Sequence, residues 1–230
     1  MPEEDSQLYK QITVRGSDAV EFLQGQLTQD IGLLANAGQL PAAWCNPKGR
    51  VIATLRLLEL DSAIQLLIPA NIEKIVLKRL MMYRMRSDVE FVTNGVNWTK
   101  HVSAEDADPE KLIAAGVPTI DASNTEKYTP HMLNLDKLGA ISFSKGCYAG
   151  QEVVARTENL GKSKRRLMRY LADKDGLSIG AKLSLDDRNV GEIVNISGHE
   201  LLAVTPIELH DQNLVSNGTR VVPMGLPYLI

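Results

Sequence analysis

From Arg166 to the last residue, the apolar side chains come in short alternating runs, each closed within several residues by a turn signal. Runs at 167–171, 182–185, 189–197, 201–204 and 219–223 read as strands, with Asp186-Asp187-Arg188 and Ser197-Gly198-His199 as turns between them. Strands this short leave many unpaired edges unless the sheet closes on itself, so the pattern predicts a small antiparallel β-barrel over residues 165–230. Residues 1–164 form a different kind of unit. The chain has 230 residues in all, enough for a proper core in each part.

In the first part, residues 8–14 alternate as a strand, and Ser17 with Asp18 opens a helix carrying Val20, Phe22, Leu23 and Leu27. Asn46-Pro47-Lys48-Gly49 is a strong turn signal between apolar runs at 40–45 and 51–60, which predicts a hairpin. Residues 64–69 read as a strand and 72–83 as a helix with Ile75, Val76, Leu77 and Leu80 inward; a short strand follows at 89–92 and a helix at 109–115. These elements predict an α+β layer, a mixed sheet with helices rather than a doubly wound one. The polar stretch 94–109 reads as a linker or surface excursion.

Composition narrows the function classes. With 44% apolar and 23% charged residues, the chain reads as a soluble globular protein. Its longest apolar stretches, such as 64–70, fall far short of the ~20 residues that span a bilayer. The acidic start Pro2-Glu3-Glu4-Asp5-Ser6 lacks the basic, then apolar, pattern of a secretory signal, so a cytoplasmic location without membrane partners is expected. Two cysteines without a disulfide framework agree with a reducing compartment. Net charge is −3, yet Lys162, Lys164, Arg165, Arg166 and Arg169 crowd together, as do Lys78, Arg79, Arg84 and Arg86. Each cluster reads either as an anion-binding patch or as a solvated face.

Several motifs fall away. Gly161-Lys162-Ser163 resembles the end of a phosphate-binding loop, but Arg156 stands where that motif needs its first glycine. The four histidines are scattered and show no ligand spacing with either cysteine, so no metal site is expected. Cys45, after Trp44 in a predicted strand, reads as a packed residue. The remaining feature is Lys145-Gly146-Cys147-Tyr148-Ala149-Gly150-Gln151-Glu152, ahead of a helix predicted over 151–159. Glu152 falls in the first turn, where a carboxylate suits the positive end of the helix dipole, and that same end together with Lys145 would favour Cys147 as thiolate. The alternative is a small buried hydrophobe. Hydrolase chemistry lacks its base, since no histidine partner accompanies Cys147.

This eight-residue string, continued by Val153-Val154-Ala155-Arg156, resembles the signature of the YgfZ/GcvT family, specifically its YgfZ branch. Gly16-Ser17-Asp18 with Phe22-Leu23-Gln24-Gly25-Gln26-Leu27-Thr28 and Asp30, then Asn46-Pro47-Lys48-Gly49-Arg50, residues 116–121, and Pro130 with Asn134-Leu135 follow in the family's order. The resemblance implies a GcvT-like folate-binding domain over 1–164, shortened near 93–110 where longer relatives carry a further subdomain, and a barrel lobe over 165–230. It implies tetrahydrofolate as cofactor, contacted by Tyr9, Tyr148, Gln151 and Glu152, with Cys147 and Lys145 as the reacting pair. Partners would be iron–sulfur enzymes or assembly proteins. The related glycine-cleavage aminomethyltransferase places an acid on the strand after the first hairpin, whereas residues 51–55 here are Val-Ile-Ala-Thr-Leu, so its kind of turnover is not expected.

Two alternatives stand beside that reading. One is a folate-dependent one-carbon transferase acting on another acceptor, and the other is direct tRNA binding through residues 162–169, where only Tyr170 is at hand for base stacking. The family flanks the pterin with two aromatics: Tyr9 holds the first position, but Asp108 stands at the second, and Trp98 upstream is a candidate replacement.

Overall fold

The computed structural model describes residues 8–60, 62–93, 107–161 and 163–230. Trp98, Lys162 and most of the expected polar excursion lie outside them.

The first hairpin forms where the Pro-Lys-Gly turn demands it: β2 (Gln39–Cys45) pairs antiparallel with β3 (Val51–Leu60), which pairs in turn with β4 (Ala63–Pro69). β1 (Tyr9–Arg15) lies between β4 and β5 (Glu90–Val92), completing the order β2-β3-β4-β1-β5. Every pairing is antiparallel, which corrects the mixed sheet expected from sequence. The connection from β4 through α3 (Glu73–Arg84) to β5 is a crossover between strands of like direction, but β1 is inserted between them. It is a split βαβ unit, and the split removes any parallel contact. α1 (Ala19–Gln26) and α3 bury Phe22, Leu23, Val76 and Leu80 against Ile12, Val14, Leu57 and Leu66 of the sheet. Asp18 does not cap α1 with its side chain; its carboxylate accepts the Asp88 amide at 2.7 Å, fastening the helix start to the approach to β5. A short helix α2 (Leu34–Ala37) leads into β2.

After α4 (Pro109–Ala114) the chain runs irregularly to α5 (Gln151–Leu160) and enters the barrel. β6 (Arg165–Ala172), β7 (Lys182–Leu185), β8 (Arg188–Ser197), β9 (Glu200–Pro206), β10 (Leu214–Ser216) and β11 (Thr219–Met224) close in the order β10-β11-β6-β9-β8-β7. β10, absent from the sequence reading, is three residues long and too short to show alternation. Tyr170, Leu183, Ile193, Leu201 and Val221 fill the barrel.

A further apolar cluster joins the parts. Ala43, Cys45 and Val51 from the sheet meet Ile120, Leu133 and Val154 from the connecting segment and Leu167, Val194, Leu202 and Val204 from the barrel. Asn195 reinforces the joint, its side-chain oxygen accepting the Thr119 amide at 2.9 Å and its nitrogen donating to the Thr119 carbonyl at 2.7 Å. No helix among the described residues is long and apolar enough to cross a membrane.

Candidate functional site

The segment from Gln24 to Gln29, at the end of α1, is a hub of backbone and side-chain hydrogen bonds. Thr28, fully buried, donates its hydroxyl to Ala140 O at 2.6 Å and accepts the Ala43 amide at 2.9 Å. Gln29 donates to Gly139 O and Pro41 O. The cysteine loop docks on this hub. Lys145 is buried, and its Nζ donates to the carbonyls of Gln24, Leu27 and Gln29 at 2.7, 2.8 and 2.8 Å. Ala149 N donates to Gly25 O at 3.1 Å.

The hairpin turn closes the other side. Gly150 has φ +82, and a Cβ there would stand 2.4 Å from Asn46 O; a Cβ on Gly49, at φ +69, would stand 2.6 Å from Val153 Cβ. Only glycine fits at either contact. The three motifs, far apart in sequence, therefore meet at one junction, from which Cys147 emerges exposed while Cys45 lies buried beneath. Burial pushes the Cys45 thiol up to about 12 and leaves it inert near neutral pH.

The geometry gives Lys145 a structural part. An ammonium has three protons, and all three are engaged by carbonyls of the hub, so the side chain fastens the loop. Burial pushes it down to about 8, against the upward pull of the Asp30 carboxylate. Its Nζ also lies 5.1 Å from the ring centre of Tyr148, which is itself buried. Gln151 Oε1 accepts the Tyr148 amide at 3.3 Å, and Glu152, exposed, pairs with Arg156 one helical turn on.

Tyr9 is elsewhere. It packs against Leu58 and Leu67 on the sheet face turned from α1 and α3, with its hydroxyl 3.4 Å from Thr119 Oγ1. Its ring forms a wall common to a cavity of about 650 Å³ and a smaller one of about 90 Å³. Neither cavity is lined by Lys145, Cys147, Tyr148, Gln151 or Glu152. Of the residues expected around folate, Tyr9 lines this cleft, while Tyr148, Gln151 and Glu152 gather at the thiol junction. Asp108, at the second aromatic position, caps α4 by accepting the Glu110 amide at 2.9 Å. Thr54, on the strand where an acid was sought, lines the smaller cavity and accepts the Ile120 amide at 2.9 Å.

The basic run on β6 is engaged within the protein. Arg165 donates to the Val190 and Val204 carbonyls, Arg166 pairs with Asp136, and Arg169 pairs with Glu200. One grouping escaped the spacing analysis: His131, Asp136 and Glu158 bring ligand-type atoms within 4.8 Å of one another. Arg166 already neutralises Asp136, and Glu158 lies 3.0 Å from His131 Nε2, so internal partners already serve both carboxylates.

No family model matches the chain. It is 30% identical to an uncharacterized protein of Haemophilus influenzae over 96% of each chain. It is 29% identical to the tRNA-modifying protein YgfZ of Enterobacter sp. (strain 638), over 70% of this chain and 68% of the relative. Against the protein of that name from Hamiltonella defensa it is 30% identical, over 68% and 66%. In fold it matches the glycine cleavage system aminomethyltransferase T of Bartonella henselae with a TM-score of 0.70 at 14% identity, over 96% of this chain and 84% of that one. With sequence likeness along nearly the whole length and the fold shared with the aminomethyltransferase, the chain belongs to the YgfZ/GcvT family, on its YgfZ branch.

Proposed function

We propose that the chain is a cytoplasmic, tetrahydrofolate-binding accessory protein that supports tRNA modification, and iron–sulfur cluster assembly or repair, through Cys147. The observation that carries this reading is an exposed thiol on a loop fastened at four backbone carbonyls, those of Gln24, Gly25, Leu27 and Gln29. A free surface cysteine needs no such anchoring, whereas a thiol that exchanges with a cluster ligand or another thiol gains from being held in one place. Relatives carrying the name tRNA-modifying protein give the reading its biological direction.

The folate part rests on the cleft. Its volume of about 650 Å³ suits a ligand of that size, and Tyr9 offers one ring wall for a flat heterocycle. When bound, tetrahydrofolate supplies a carrier for one-carbon units. The residues here would bind and orient it: Tyr9 by stacking, with Asn71 and Lys74 on the rim as polar contacts. With Thr54 engaged by the Ile120 amide and Ala53 buried, residues 51–55 offer no acid for the aminomethyltransferase reaction.

Complementation tests the thiol. In cells lacking the protein, Cys147→Ser is expected to fold normally and fail to restore thiolated tRNA, and full rescue would refute the reading. Calorimetric titration tests the cleft. Losing the Tyr9 ring in Tyr9→Ala should raise the dissociation constant for tetrahydrofolate ~5–150-fold, the range of one stacking contact; equal binding by parent and variant would remove Tyr9 from the site.

A further inference from the structure

Three segments distant in sequence form a groove of about 840 Å³ next to the cysteine junction: the hairpin turn, the exposed side of α3, and residues 126–127. Lys48, Arg50, Arg79 and Lys127 line it, with Glu126 as its one carboxylate. Four cations and one anion line the groove, on a chain whose net charge is −3, and Glu192, just outside the lining, pairs with Lys127 at 3.1 Å. Glu126 is already held, by Nη1 and Nη2 of Arg79 at 2.9 and 3.0 Å and by Asn46 Nδ2 at 2.9 Å. Lys48 and Lys127 are exposed, Lys127 with its ammonium on Glu192 in a pair open to solvent, and Arg50 is positioned by donating to Lys127 O at 2.7 Å. Beside them Tyr83 is 45% exposed, its ring held edge-on by Trp44 at 6.1 Å and 80°.

We propose that this groove binds a single-stranded segment of RNA, with phosphates on Lys48, Arg50 and Lys127 and a base stacked on Tyr83. The assignment rests on the reading of the chain as an accessory of tRNA modification and adds the surface that would hold the RNA. Protein interfaces exclude charge from their centres, whereas here the charges form the walls. A cationic track with an aromatic platform beside it is the pattern of single-strand binders. The turn that forms the groove's floor is the same turn that packs on Gly150, so an RNA held there lies against the element that seats the cysteine loop.

Fluorescence anisotropy with a labelled oligouridylate of about 12 nucleotides, competed by bulk tRNA across a salt series, tests the proposal. Three phosphate contacts predict a slope of log Kd on log salt of about 2, at ~0.7 per phosphate. Lys48→Ala and Lys127→Ala should each lower that slope by ~0.7 and weaken binding whatever the sequence. Tyr83→Ala should weaken binding at least ~5-fold with the slope unchanged. Lys164→Ala, on the basic run outside the groove, should bind like the parent. Cys147→Ser should do so too, which keeps a failure of the thiol reading separate from a failure of this one. Circular dichroism checks the fold of each variant. No binding at low salt, or unchanged slopes in both lysine variants, would overturn the proposal, as would a glutamate homopolymer binding more tightly than RNA.

Discussion

Take away the ammonium of Lys145 and three carbonyl oxygens, two of them among the buried contacts of the hub, lose their common donor. An unsatisfied buried polar group costs about 1–3 kcal/mol, and local relaxation will let water reach some of them. Lys145→Met should therefore destabilise the protein by about 2–4 kcal/mol in urea denaturation, with the cysteine loop loosened; a change below ~0.5 kcal/mol would show that the clamp is idle. Sequence pointed to this lysine for another reason, its nearness to Cys147 along the chain. Spacing reveals who the neighbours are, but not which way a side chain leaves a loop. The direction was set by the end of α1, more than a hundred residues earlier.

Among the elements, the contact between the hairpin turn and the start of α5 is a tight joint. Gly150→Ala would set a methyl 2.4 Å from Asn46 O in a left-handed conformation that costs a non-glycine residue roughly 1–2 kcal/mol before any clash. The expected outcome is a loss of at least ~3 kcal/mol, or failure to accumulate as folded protein, with Gly139→Ala as the comparison because nothing stands near its Cβ. That variant should lose only the conformational part. A thermal melt of the pair decides between strain and clash. The elements at this joint were legible in sequence because Pro47 and Gly49 punctuate it and because α5 carries its own periodicity. The strands of both sheets were legible for similar reasons, down to within a residue or two. What escaped was pairing: the insertion of β1 between β4 and β5, and the three-residue β10, depend on contacts across the chain and not on any local pattern. The cationic groove escaped for the same reason, being built from three segments none of which is exceptional alone.

At the scale of the molecule, charge and core set how the fold responds to its surroundings. Arg79 and Asn46 hold the Glu126 carboxyl down to about 2, so the ion pair contributes stability that is complete above the ordinary carboxylate range and disappears as pH falls from about 4.5 toward 2. The pair is partly exposed, about a third on each side, and solvent screening reduces its worth to ~1 kcal/mol. Glu126→Gln should accordingly lower stability by that amount at pH 7 and by almost nothing at pH 2, as measured by denaturant midpoints at the two values. An equal loss at both would assign the effect to shape and not charge. The shared apolar cluster reaches further than any one pair. It makes the sheet, the connecting segment and the barrel partners in a single interior, so calorimetry should record one transition rather than two. In a cell the consequence is one of supply. A substitution such as Val194→Ala or Leu202→Ala, on strands of the barrel, would enlarge the unfolded fraction seen by proteases, and the number of working Cys147 loops per cell would fall with it.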